Sequence, residues 1–279
     1  MLFEQLGLPK GVGVGLRACH YPHIETVQPD VAWFEVLSDN YLSDSGSSWL
    51  HLEKIRAAYP VTLHGVGMSL GATDPLNQDY LIKLKSLITR VKPALVSDHL
   101  CWTSFAGQYF HELLPLPYTE EAIAHVSERI QIVQDFLGQR IMIENVSSYL
   151  SFKHATLTEW EFLQAVAEEA DCLILLDINN IYVSATNNKF KPADYLMKLN
   201  TPRVAQIHLA GFEDRGTHLL DTHSAAVTPP VWDLYATALK KFGAVPTVIE
   251  WDNHIPDFIR LQQEATQAKQ LMEKHAATT

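Results

Sequence analysis

The chain has little cysteine, a minority of basic residues and no long apolar run, and each shortage closes off a class of protein. Its three cysteines, Cys19, Cys101 and Cys172, are odd in number and show no CxxC spacing, which points to neither a disulfide framework nor a thiolate zinc site. Lys and Arg together number 21 against 32 for Asp and Glu, a formal net charge of −11. That balance argues against nucleic acid as a partner, because phosphate backbones are bound through Lys and Arg. No run approaches the roughly 18 apolar residues of a membrane span. The opening segment MLFEQLGLPKGVGVGL also lacks the basic and apolar regions of a signal peptide. The expectation is a soluble, cytoplasmic protein with no nucleic-acid and no membrane partner.

What is present is ample core material, 47% of 279 residues being hydrophobic, and a rhythm of short β-rich runs alternating with longer helical patterns. The runs are 13–17, 32–36, 61–64, 94–99, 141–144, 173–177, 204–208 and 247–250. Between them the apolar residues fall at helical spacing, as at Ala122, Ile123, Val126, Ile130 and Val133, with Thr119 as amino-terminal cap and Gly138 as stop. A last helix is predicted from about Pro256, with Phe258, Ile259, Leu261, Ala265, Ala268, Leu271 and Met272 on its apolar face. Eight buried strands with crossover helices fit a (β/α)8 TIM barrel better than an open sheet. No Ser/Gly linker or charge block divides the chain, so residues 1–279 read as one domain.

The chain's unusual feature is its 13 histidines and where some of them stand. Five runs end in His64, Glu144, Asp177, His208 and Glu250, and His99 ends a sixth. In a parallel barrel every strand opens its carboxyl end onto one face, so these groups converge. One histidine at a strand end is ordinarily a satisfied core residue. Six ionisable groups together are hard to explain as structure, because burying each uncompensated costs several kcal/mol. Asp221 and His223 add two more, the two-residue spacing of an extended segment pointing both side chains one way. Four imidazoles and four carboxylates exceed what one first-row ion uses, so two or three ions are implied, with Glu144 the expected bridge. The ligand types suit iron, manganese or zinc alike. Glu35, after Trp33-Phe34 on a barrel strand, is a costly acid without a function, and His20 belongs to the same face. Asn145 and Asn180 fit either a metal or substrate role or the backbone hydrogen bonding that Asn makes in turns. Cys19 and Cys101 lie near the expected mouth, where a small buried hydrophobe is the plainer reading of each.

The segments GVGVGLRACHY, WFEVLSDNY, LHGVGMSLG, SDHLCW, HELLPLPYTEEA, IENVSSYL, LLDINNIYVSA, QIHLAGF, DTH and IEWD, in this order, resemble the multinuclear non-haem iron-dependent oxidative enzymes (DUF692, also UPF0276). The resemblance runs from about Gly11 to Asp252. It implies a barrel that binds two or three irons and uses dioxygen to modify cysteines of a ribosomally made precursor peptide, often beside a small leader-recognition partner protein. It places metal ligands on His64, His99, Glu144, Asp177, His208, Asp221, His223 and Glu250, and further site residues on Asn180, His20, Glu35 and Asn145. The ligand order also resembles the wider xylose-isomerase-like barrels, including abasic-site endonucleases and sugar isomerases. The endonucleases carry a His two or three residues past the sixth-strand Asp, where this chain has Asn179 and Asn180. That difference and the negative charge weigh against DNA repair.

Overall fold

The computed structural model describes residues 9–43 and 46–276, so the first eight residues of the segment read for a targeting signal lie outside the described residues. The strands are β1 (Val12–Leu16), β2 (Phe34–Leu37), β3 (Val61–Gly65), β4 (Val96–His99), β5 (Trp102–Phe105), β6 (Gln108–Leu114), β7 (Met142–Glu144), β8 (Leu173–Asp177), β9 (Val204–Leu209), β10 (Phe212–Asp214), β11 (Leu219–Asp221) and β12 (Thr247–Ile249). The α-helices between them are α1 (Tyr21–Val27), α2 (Ser47–Ala58), α3 (Gln78–Val91), α4 (Glu120–Leu137), α5 (Glu159–Glu169), α6 (Ile178–Asn188), α7 (Pro192–Lys198), α8 (Pro229–Phe242) and α9 (Phe258–Ala276). Eight parallel strands close into a barrel in the order β1-β2-β3-β4-β7-β8-β9-β12, the eight runs expected from the sequence. Among the described residues no helix is long and apolar enough to cross a membrane.

Alternation within each strand separates two layers. Val14, Phe34, Val36, Leu63, Val96, Ile143, Ile174, Leu176, Ile207 and Ile249 join the main hydrophobic cluster with the helices. A second cluster of Leu95, Met142, Leu173, Leu175 and Ala205 fills the barrel floor. In β1 the alternation is reduced to its minimum, Val-Gly-Val-Gly-Leu, and a Cβ on Gly13 would stand 2.6 Å from the Trp33 ring. Glycine there makes room for an indole that is fully buried.

Helix α4 begins and ends where its sequence says. The Thr119 side chain accepts from Ala122 N, and Gly138 closes the helix at φ 78°. Helix α9 starts two residues past Pro256, and Ile259 is 61% exposed rather than on the packed face. Its place there is taken by Glu264, whose Oε1 accepts from Val227 N at 3.2 Å and from Arg260 at 2.9 Å.

Two short antiparallel hairpins, β5/β6 and β10/β11, were not foreseen. Both follow barrel strands at the carboxyl face, and β6 and β10 are largely exposed, so the hairpins lack the buried apolar runs by which the barrel strands are read.

Candidate metal centre

Strand register brings the distant residues together. His99 on β4 stands opposite Glu144 on β7, and Asp177 on β8 stands opposite His208 on β9. Between β8 and β9 the register shifts by one residue at Ile174/Leu175. Such a bulge re-aims a side chain, and here Gln206 and His208 face the barrel interior while Ile207 and Leu209 face the helices.

Glu144 is the hub. Its Oε2 lies 3.2 Å from both His64 Nε2 and His99 Nε2, and its Oε1 lies 3.4 Å from His208 Nδ1. Glu250 Oε2 is 3.0 Å from His208 Nδ1 and 3.2 Å from His223 Nδ1. His223 Nε2 is 2.7 Å from Asp221 Oδ1 and 3.9 Å from Asp177 Oδ2. The eight side chains expected at the mouth therefore meet there. Asp221 and His223 do not reach it on an extended segment, however: His223 adopts φ 44°. This left-handed turn, worth about 1–3 kcal/mol of strain for a non-glycine residue, folds the imidazole back toward Asp221.

Behind the front atoms each group is held by its other end. His64 Nδ1 is 2.8 Å from Ser97 Oγ, and His99 Nδ1 donates to Gly65 O at 3.1 Å. His208 Nε2 is 2.6 Å from Glu35 Oε1 and donates to it, which directs Nδ1 at Glu144 and Glu250. Glu35 Oε2 accepts from Thr62 Oγ1 and Gln206 Nε2. Asp177 Oδ1 caps α6 by accepting from Asn180 N at 2.6 Å, which leaves Oδ2 for the centre. Asn145 brackets the Asp177 backbone, donating to its carbonyl and accepting from its N–H. Asn180 Nδ2 donates to Asn145 O, turning its Oδ1 the other way. His20 is not brought to the centre: its Nε2 lies 2.8 Å from Pro256 O and its ring packs edge-on to Phe258.

The sequence reading passed over Asp252 and Gln206. Asp252 Oδ2 lies 3.1 Å from His223 Nδ1, and its Oδ1 pairs closely with the Arg17 guanidinium. The signal was available, since Asp252 follows Glu250 by the same two residues that separate Asp221 from His223, and Gln206 precedes His208 by two. Cys101 and Cys172 are buried and Cys19 is exposed.

Whether these residues suit a cation can be judged from their unmet valences. Both oxygens of Glu144, Asp177 Oδ2, Asn180 Oδ1, His208 Nδ1 and His223 Nε2 are buried without a hydrogen-bond partner. A buried polar atom in that state costs about 1–3 kcal/mol, and more if charged. Their close spacing without hydrogen-bond geometry is how donor atoms surround a shared cation. Four donor sets lie within 4.8 Å: His64–His99–Glu144, Glu144–Asp177–His208–Glu250, His64–His208–Glu250 and His223–Glu250–Asp252. Glu144 and Glu250 each belong to more than one set, as bridging carboxylates do.

Charge within the cluster is unevenly shared. Burial drives the Glu144 carboxyl up to about 7 against the pull of His208. Burial, with His99 beside it, drives His64 down to about 3. At His208 burial also works against protonation, but Glu35, Glu250 and Glu144 outweigh it and the imidazole ends well above its usual value. Protons on Glu144 and His208 thus stand among the candidate donors, and a metal ion bound here would have to displace them.

Comparison with known proteins gives the chain a family. A family described as "RiPP precursor modification enzyme MbnB/TglH/ChrH" matches residues 11–273. A UPF0276 protein of Acaryochloris marina is 56% identical over 266 residues, covering 95% of this chain and 96% of that one. Another, from Anaeromyxobacter sp., is 51% identical over 261 residues, covering 94% and 92%. Among solved structures, endonuclease IV from Thermus thermophilus superposes with a TM-score of 0.61 at 14% identity, over 97% of this chain and 100% of its own. A xylose isomerase-like TIM barrel protein from Mycobacterium smegmatis gives 0.57 at 11%, over 96% and 97%. At such identities these structures share the fold alone. The sequence matches go further, and the chain belongs to the MbnB/TglH/ChrH family of RiPP precursor modification enzymes.

Proposed function

We propose that this protein is a multinuclear non-haem iron oxidase that uses dioxygen to modify a cysteine of a ribosomally made precursor peptide. The observation that carries the reading is the set of unpartnered imidazole, carboxylate and amide atoms at the barrel mouth, in a chain of a peptide-modifying family. His64, His99, Glu144, Asp177, His208, Asp221, His223 and Glu250 would hold two or three ions, with Asn180 Oδ1 as a further donor. Manganese or zinc suits the same donors, and which ion fills them depends on supply as well as affinity. Bound iron supplies electrons for dioxygen reduction and an open position for a substrate sulfur.

The chain's own part is orientation and exclusion of water. Glu35 fixes the tautomer of His208, and Asn145 holds the turn that presents Asp177. On the same face Phe105, Tyr109 and Phe110 of the β5/β6 hairpin and Tyr149, Leu150 and Phe152 after β7 are exposed. A cavity of about 520 Å³ runs between that hairpin and the start of α4, past Phe152. This apolar rim suits peptide side chains, and a small leader-recognition protein beside them, better than a sugar. We place the reaction in the cytoplasm, where precursor peptides are made.

The test is oxygen uptake by protein loaded anaerobically with Fe(II). Uptake should require a cysteine-containing precursor peptide, leave a mass change confined to that cysteine, and vanish with the Cys→Ser peptide. Cleavage of abasic duplex DNA without oxygen would overturn the assignment in favour of an endonuclease.

A further inference from the structure

The four imidazoles of the centre are backed in two different ways. Behind His64 and His99 stand neutral oxygens, Ser97 Oγ at 2.8 Å and Gly65 O at 3.1 Å. Behind His208 and His223 stand carboxylates, Glu35 Oε1 at 2.6 Å and Asp252 Oδ2 at 3.1 Å. Both carboxylates are anchored in turn. Glu35 is fixed by Thr62 and Gln206. Asp252 is fixed by Arg17, whose Nε donates to Trp251 O at 2.9 Å, while the Asp252 N–H donates to His223 O at 2.8 Å. At the front the donor sets differ in charge: the His64–His99 set holds the single carboxylate Glu144, whereas the set around His208 holds Glu144, Asp177 and Glu250, and His64 joins His208 and Glu250 in a set between the two.

A carboxylate behind a metal-binding imidazole holds the ring orientation, fixes the tautomer and makes the ring a stronger donor. A neutral hydroxyl or carbonyl does the first two and less of the third. Three carboxylates in front also place more negative charge against a cation than one does. We infer that the centre is built as a tight half around His208 and His223 and a loose half around His64 and His99, with Asp252, anchored by Arg17, a positioning residue of the tight half. The tight half fills first and retains its ion, and the loose half fills last and exchanges. The inference rests on the metal-centre reading above and deepens it.

The experiment is a titration of the metal-free full-length chain with Co(II), followed by visible absorption and by metal content after desalting. The unsubstituted protein should bind in at least two phases. Asp252→Asn and Glu35→Gln should each weaken the first phase, by about 10–100-fold, shift its cobalt absorption band and leave the last phase in place. Asp252→Glu should restore most of the loss. Ser97→Ala, which removes the hydroxyl behind His64, should move only the last phase. Asp252 is exposed at the rim, so its replacement by the isosteric amide tests positioning rather than folding. If Asp252→Asn weakens all phases equally, moves the last phase, or moves none, the division into halves is wrong while the metal centre stands. If the unsubstituted chain takes up no cobalt, both readings fall together.

Discussion

Glu144 is the residue at which the metal-centre argument is most exposed to refutation, and Glu144→Gln the substitution that tests it. Without metal, its carboxylate is buried among imidazoles with both oxygens unpartnered, and burial lifts its pKa from the usual 4.5 to about 7. An acid whose folded pKa is raised binds protons more readily in the native state. It therefore lowers stability as pH rises from about 4.5 to about 7, and the full cost persists above that. This displacement corresponds to about 3 kcal/mol. Metal-free Glu144→Gln should accordingly be more stable than the parent at pH 8 by up to that amount, or about 5 °C in Tm for a chain of this size, with no gain at pH 4. Metal should reverse the order. Binding stabilises by RT ln(1 + [L]/Kd), about 2.7 kcal/mol at one hundred times Kd, and the amide loses the charge shared between two donor sets. Thermal unfolding of both proteins, with chelator and with Fe(II) under argon, gives the four midpoints. A Glu144→Gln protein less stable than the parent in chelator at pH 8 would refute the claim that burial of this carboxylate outweighs the pull of His208 and leaves a charge awaiting a cation. Retention of every ion by the variant would remove its bridging role.

Anaerobic reconstitution with Fe(II) should give two or three ions per chain by elemental analysis and raise Tm. Chelation should lower Tm again, and an unchanged Tm with no bound metal would contradict the site. His125→Ala should leave metal content unchanged, since His125 Nε2 contacts Ala72 O outside the centre, and should cost about 1 kcal/mol in urea unfolding. Gly13→Ala should destabilise by about 1–3 kcal/mol, because its methyl would meet the Trp33 ring; unchanged urea stability would show that the indole has room to move.

The barrel and its mouth were legible in the sequence for one reason: buried parallel strands read as short apolar runs, and strand ends share a face. Glu144, Asp177 and His208 each follow apolar residues directly, so their convergence needed no knowledge of contacts. The two hairpins were hidden because β6 is largely exposed and carries no buried run. The spacing of Asp252 from Glu250 was legible, but its partner was not, because His223 lies 29 residues away in sequence.

By itself, then, the sequence determined the number of barrel strands, the sense of the barrel and the identity of the side chains that meet at its mouth, since periodicity and residue chemistry are local properties. The tertiary structure alone decided which atoms face one another. The register shift before His208, the left-handed turn at His223 and the carboxylates behind two of the four imidazoles arise from pairings between strands distant in the chain. Pairings of that kind are fixed by closure of the barrel rather than by the residues on either side.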